Sequence, residues 1–134
     1  MASKFHLQII TPTRTFLDEE IEMVVLRTVE GDMGIMKNHI PMVTPLSIGK
    51  LKINKDGSTR EAAIAGGFVH VDREKTVIIT DSAEWPDEID VNRAKEAKER
   101  AEERLNKGTQ DIDTLRAEIA LKKAMNRLNL AQRR

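Results

Sequence analysis

Along the first part of the chain apolar and polar residues alternate; along the last part apolar residues recur every three or four positions. Phe5-His6-Leu7-Gln8-Ile9 has the period of two that turns one strand face to a core and the other to water. Residues 21–28 alternate less cleanly, with Val24-Val25 marking a bulge or burial on both faces. Residues 48–53 lead into Asn54-Lys55-Asp56-Gly57-Ser58, a hairpin turn, and residues 59–65 read as the return strand. Residues 68–71 and 75–80 make a further hairpin across Asp72-Arg73-Glu74. Gly66-Gly67 interrupts the pattern and reads as a bulge or a close backbone approach. It is not a phosphate loop, because no Lys-Ser/Thr follows and no helix opens there. Short strands at this spacing predict a small sandwich or flattened barrel.

The period changes at Pro86. Asp87 or Asp90 can cap a helix whose stripe is Val91, Ala94, Ala97, Ala101 and Leu105, and whose end is Asn106-Lys107-Gly108. Thr109 or Asp111 starts a second helix. Its stripe is Ala117, Leu121, Ala124, Leu128 and Ala131, with Ile112, Leu115 and Ile119 alongside. The chain is therefore expected to be α+β, with a β module over residues 1–85 and a two-helix antiparallel hairpin over residues 86–134. So many alanines in the stripes allow close approach but bury little, so folding the hairpin is expected to be marginal.

Composition narrows the possibilities. The chain has 134 residues and a formal net charge of zero, which gives no bulk basic character for nucleic acid. With no cysteine there is neither a disulfide framework nor a thiolate zinc site. No apolar run approaches membrane-spanning length, so membrane association is expected only through a partner. From Lys122 onward come Lys123, Arg127, Arg133 and Arg134 and no acid. Two or three cations would satisfy a helix C-terminal dipole; five point to an acidic partner or an anionic ligand.

Residues 31–46 are unusual: Gly31 and Gly34 bracket a turn, Met33, Met36 and Met42 cluster, and Pro41 and Pro45 stiffen the exit. Two readings are open, an irregular core connection filled by methionine or a rigid loop presenting Met36, His39 and Ile40 to a partner. No histidine or carboxylate pattern has metal-ligand spacing, and no nucleophile elbow, zinc-protease helix or Walker A loop occurs. A catalytic site is not expected.

Several segments, taken in order, resemble the ε subunits of F-type ATP synthases, the central-stalk subunits whose mitochondrial counterpart is called δ. They are Thr11-Pro12, Gly31-Asp32-Met33-Gly34-Ile35, His39-Ile40-Pro41, Thr44-Pro45-Leu46 and Gly66-Gly67-Phe68. A last-helix segment, Ala117-Glu118-Ile119-Ala120-Leu121-Lys122-Lys123-Ala124-Met125-Asn126-Arg127-Leu128, is similar to bacillar members. The resemblance covers essentially the whole chain. It implies a ten-stranded β-sandwich followed by the hairpin, docked on the γ subunit and the membrane c-ring through Met36, His39 and Ile40. The setting it implies is the cytoplasmic face of the bacterial membrane. It further implies that Lys122, Lys123, Arg127, Arg133 and Arg134 can meet an acidic segment of a catalytic β subunit and inhibit ATP hydrolysis.

Some members bind ATP on the folded hairpin through Ile-Asp-x-x-Arg-Ala, and Ile89-Asp90-Val91-Asn92-Arg93-Ala94 matches that motif. Glu84, Arg100 and Arg127 match further positions of the family site, and Lys123 stands where the bacillar pattern has arginine. The implied ligand set is thus Glu84, Ile89, Asp90, Arg93, Ala94, Arg100, Lys123 and Arg127. ATP would act as a regulatory ligand, with Mg2+ as its candidate companion and no catalytic cofactor. Two rivals are a free-standing nucleotide-sensing module and a coiled-coil adaptor that self-associates through the Ala117/Leu121/Ala124/Leu128/Ala131 seam.

Overall fold

The structure, a computed structural model, describes residues 3–107 and 111–132, with the backbone alone for 111–113. Strand β1 (Phe5–Ile10) buries Leu7 and Ile9 completely, as its alternation requires. It pairs antiparallel with β2 (Thr15–Ile21) and parallel with β7 (Lys75–Ile79). Strands β3 (Met23–Thr28) and β4 (Gly31–Met36) form a hairpin, as do the long strands β5 (Met42–Lys55) and β6 (Ser58–Val71). The sheet order is β2-β1-β7-β6-β5-β3-β4, and the short β8 (Ala83–Glu84) pairs with β6.

Among the described residues, eight continuous strands serve as ten because β5 and β6 each take part in both layers of a sandwich. Residues 42–46 of β5 and 67–71 of β6 extend the layer of β7, β1 and β2; residues 48–55 and 58–65 extend that of β3, β4 and β8. Pairing lapses where the strands pass from one layer to the other, at Ser47 and Gly66. The two glycines there have left-handed φ values of 84° and 110°. At Gly67 a Cβ would lie 2.0 Å from the Ile79 carbonyl oxygen, so the close approach expected of Gly66-Gly67 is found. Leu7, Ile9, Ile21, Val24, Ile35, Leu51, Ile53, Val69 and Ile78 fill the core.

Three local expectations are corrected. Residues 31–36 are not a glycine-bracketed turn but edge strand β4, in register with β3 from Thr28↔Gly31 to Met23↔Met36, and the turn is Val29-Glu30. An edge strand needs few side chains, so its two glycines give a false turn signal. Strand β5 begins at Met42, well before Ile48, and runs through Pro45. Pro45 pairs with Phe68 on one side only, β3 joining β5 further along at residues 52–54, so the missing N–H interrupts no ladder. Residues 21–28 span a break at Glu22, and strand β2 before it has no clear sequence signal because Asp18, Glu19 and Glu20 mask its alternation. Glu19 ties the layers together: its Oε2 accepts hydrogen bonds from Arg60 (2.7 Å) and Lys55 (3.2 Å). The Arg60 hydrogen bond is the main reason its carboxyl sits below the ordinary carboxylate pKa, against the opposing effect of burial.

The Asp56-Gly57 turn has both residues at positive φ, 50° and 78°, the conformation that matches the twist of the strands it joins. Two units divide the chain, Met1–Glu84 and Trp85–Arg134. In the second, Pro86–Glu88 form one 3-10 turn, and the Trp85 N–H donates to Glu88 Oε1 at 3.0 Å. Helix α1 (Val91–Lys107) follows, capped by Asp90, whose Oδ1 accepts from the Arg93 N–H at 3.1 Å. Helix α2 (Asp111–Ala131) packs back against α1 and the 3-10 turn. The connection expected at Gly108 and Thr109 lies outside the described residues, as do Arg133 and Arg134.

Candidate functional site

Alanine sets the geometry of the hairpin. Ala94 and Ala101 on α1 and Ala117, Ala124 and Ala131 on α2 are buried, each set repeating at seven residues. A seven-residue seam keeps one stripe of each helix against the other. With α1 ending at Lys107 and α2 starting at Asp111, an antiparallel packing in which these helix ends meet sets Ala101 level with Ala117 and Ala94 with Ala124. The remaining side chains can then be assigned to the two flanks of the seam at roughly 100° per residue.

One flank is basic. The residue before each of four seam alanines is a cation: Arg93, Arg100, Arg116 and Lys123. In an antiparallel pair these positions face one another across the same side of the seam. Arg104 and Arg127, three residues after Ala101 and Ala124, lean to that side as well. Among the described residues of the two helices, the carboxylates of Glu96, Glu99, Glu102, Glu103 and Glu118 fall on the outer or opposite faces. The opposite flank also carries Val91, Leu105, Leu121 and Leu128, all half-buried. The helices thus separate charge by side as well as by depth.

The residues expected to hold a nucleotide distribute as follows. Arg93 is exposed near the start of α1, and level with it on α2 are Lys123 and Arg127, both half-buried and one turn apart. Asp90, at the cap, leans to the same side. Arg100 lies two turns further along α1, exposed on the same flank. Ile89 and Ala94 are buried, so they shape the site and offer no polar contact. Glu84 ends β8 in the sandwich unit, opposite Ala63, and the other seven residues belong to the hairpin unit. Lys122 points away from the seam and is exposed. The arrangement brings Arg93, Lys123 and Arg127 to one level beside a capped helix start, enough cationic donors for a polyphosphate.

Met36, His39 and Ile40 gather at one end of the sandwich. They line an open cavity of about 520 Å³ between the β4–β5 connection and the β6–β7 turn. Met36 and Ile40 are 58% and 74% exposed, so their apolar surface is available to a partner. The His39 ring is held by the Ile40 carbonyl, which lies 2.8 Å from Nδ1, and Asn38 beside it has a left-handed φ of 67°. The opposite wall includes His6, which the sequence reading left as an ordinary strand residue. Its Nε2 is 2.6 Å from Asp18 and its Nδ1 3.4 Å from Glu20. The only signal for it is the β1–β2 register, which pairs His6 with Glu20 and cannot be read before β2 is found. Among the described residues no group of His, Cys, Asp and Glu could hold a metal ion.

Two family models match the chain. Residues 4–86 match the β-sandwich domain of the ATP synthase delta/epsilon chain, and residues 87–132 match its long α-helix domain. An ATP synthase epsilon chain of Alkaliphilus metalliredigens is 66% identical over 132 residues, covering 98% of each protein. That of Caldicellulosiruptor bescii is 50% identical over 97% of this chain and 95% of its own length. That of Bacillus velezensis is 47% identical over 93% and 95%. Among solved structures, a chain in the cryo-EM structure of the Euglena gracilis mitochondrial ATP synthase OSCP/F1/c-ring assembly superposes with a TM-score of 0.82. It is 27% identical, covering 98% of this chain and 83% of that one. A chain from the central stalk and c-ring of the Tetrahymena thermophila mitochondrial ATP synthase shares the fold, with a TM-score of 0.59 at 20% identity over 98% and 96% of the two chains.

Proposed function

The chain belongs to the ATP synthase delta/epsilon family and is an epsilon subunit of the enzyme's central stalk, and from that premise we propose a coupling and regulatory role exercised through its two units. The sandwich is the coupling unit. Its cavity end, with Met36, His39 and Ile40, meets the γ subunit and the polar loops of the c-ring. The presence of a structural neighbour within an F1/c-ring assembly supports this reading. No helix among the described residues is long and apolar enough to cross a membrane, and contact with the cytoplasmic face of the bacterial membrane runs through the complex. The subunit has no catalytic role of its own.

The hairpin is the regulatory unit. Folded, it takes ATP, with or without Mg2+, on its basic flank. Arg93, Lys123 and Arg127 would hold the phosphates, with Arg100 reaching from two turns along. Asp90 would accept hydrogen bonds from the base or from neighbouring residues, and Ile89 and Ala94 would form the apolar wall. Unfolded from α1, the basic last helix, with Lys122, Lys123, Arg127, Arg133 and Arg134, meets an acidic segment of the β subunit and restrains ATP hydrolysis. ATP favours the folded arm only by its greater affinity for that state, about 2.7 kcal/mol at one hundred times the dissociation constant. A seam built largely of alanine is weak enough for that amount to matter.

The observation that carries this reading is the level meeting of Arg93 with Lys123 and Arg127 beside the Asp90 cap. Calorimetric titration of ATP into the full chain tests it. Wild type is expected to give saturable heat, and Asp90→Ala with Arg93→Ala to give none while the sandwich stays folded. Lys123→Arg, which restores a planar fork for phosphate, is expected to tighten binding. Equal heats for wild type and the double variant would remove the nucleotide role and leave the arm governed by contacts alone.

A further inference from the structure

Helix α2 is longer than α1 and runs past its start. In the levels set by the alanine seam, Val91, the first residue of α1, lies beside Arg127. Residues 128–131 therefore reach beyond α1 to the 3-10 turn Pro86–Glu88, and α2 packs on that turn as well as on α1. The flank of α2 changes character at the same point. The residue before the seam alanines Ala117 and Ala124 is a cation, Arg116 or Lys123; before Ala131 it is Leu130. Leu130 is 2% exposed although it lies off the seam. Ala131 beside it and Ile89 at the exit of the turn are buried too.

A three-residue 3-10 turn closes too few hydrogen bonds to keep its shape in water unaided. This one stands between β8 and α1, where the chain passes from one unit to the other. Trp85 and Glu88 lock it reciprocally. The Trp85 N–H donates to Glu88 Oε1 and the Glu88 N–H donates to the Trp85 carbonyl, both at 3.0 Å. The Ile89 N–H closes the turn on the Pro86 carbonyl at 3.4 Å. Asp87 and Glu88 are exposed, so water can compete for this lock from their side. The apolar groups of the segment, Pro86 and Ile89, are half-buried and buried, and the apolar residues level with them on α2 are Leu130 and Ala131.

We propose that Leu130 is a latch on this hinge: with Ala131 it holds Ile89 and the 3-10 turn against the last turn of α2, so the hinge keeps its shape only while the arm is closed. The seam offers alanine alone at this end, and a buried leucine adds the apolar contact that alanine lacks. Parting α2 from α1 uncovers Leu130 and Ile89 and leaves the Trp85–Glu88 lock to hold the turn by itself. Closing of the arm and ordering of the junction between the units thus become one event. The latch rests on the reading of the hairpin as a mobile arm, and it uses neither a cation nor a nucleotide.

Amide hydrogen exchange at Glu88 and Ile89, followed by NMR on the full chain without nucleotide, tests the proposal. The arm is closed chemically. Lys95→Cys and Met125→Cys, both exposed and remote from Leu130, are joined by a short bifunctional maleimide, and the unjoined chain is the open reference. With Leu130 present, closing the seam is expected to slow exchange of both amides about tenfold or more. With Leu130→Ala the same closure should leave them as fast as in the open chain. Leu130→Met, which nearly conserves the volume, should restore most of the protection. Exchange that closure does not slow in the chain with Leu130 would overturn the latch, because hinge and arm would then move separately. Equal slowing with and without Leu130 would also overturn it, since a closed seam would order the turn by itself. Neither result touches ATP binding, which calorimetry reads on the unmodified chain. A latch that passes in a chain giving no ATP heat stands without the nucleotide reading.

Discussion

Gly67→Ala is expected to cost more than about 3 kcal/mol and to unfold much of the sandwich at ambient temperature. The new methyl carbon would sit 2.0 Å from the Ile79 carbonyl oxygen and 2.8 Å from Thr80 Cα, backbone atoms at and just past the end of β7 that cannot swing aside. The φ of 110° adds strain of about 1–3 kcal/mol for a residue with a side chain. The collision falls where β6 passes from one layer to the other, so relieving it separates β6 from β7. Gly57→Ala is the control. It also sits at positive φ, but nothing lies within 4 Å of its added carbon, and it should cost about 1 kcal/mol. Urea unfolding of the two variants measures the difference; equal midpoints would mean that the close approach at Gly67 is not what fixes the crossover.

Ala101→Leu combined with Ala117→Leu is expected to abolish ATP binding without touching any cation or the cap. The two alanines lie level in the seam and are 2% and 0% exposed, so there is no room for two larger side chains facing each other. Overpacking costs about 1–3 kcal/mol per site. Against that, a nucleotide at one hundred times its dissociation constant returns about 2.7 kcal/mol, too little to close the pair. Both helices should persist, since leucine is a good helix former, and only their contact should be lost. Calorimetry together with the far-ultraviolet helix signal reads the outcome. Heat equal to that of wild type would show that the flank cations bind without a closed seam.

The parts of the molecule legible in the sequence are those dictated by local periodicity. Strand β1, the Asp56-Gly57 and Asp72-Arg73-Glu74 turns, the change at Pro86 and the alanine stripes all follow from spacing and turn chemistry. Strand β4 and the early start of β5 were hidden because Gly31, Gly34 and Pro45 carry the wrong local signal and are tolerated only where a strand has a single neighbour. Strand β2 was hidden because its acidic run is satisfied across strands, Asp18 and Glu20 by His6 and Glu19 by Arg60 and Lys55. Leu130 falls outside the Ala117/Leu121/Ala124/Leu128/Ala131 stripe, yet it is 2% exposed. The cations of the hairpin were visible one by one. Their sorting onto one flank was not, because it requires knowing which alanines are buried and that the helices pack on each other.

The central claim is that ATP closes the arm, and a distance measured across the seam tests it most directly. The chain has no cysteine, so Lys95→Cys and Met125→Cys give two unique spin-label positions. Both are exposed, nearly level across the seam and on the flank away from the basic residues, so neither label obstructs the nucleotide. Pulsed electron–electron distance measurements on the full chain should give a broad distribution without nucleotide. Saturating ATP should collapse it to a single short separation, and the Asp90→Ala, Arg93→Ala background should remove that response. A distribution that saturating ATP leaves unchanged, whether already short or still broad, would contradict the account.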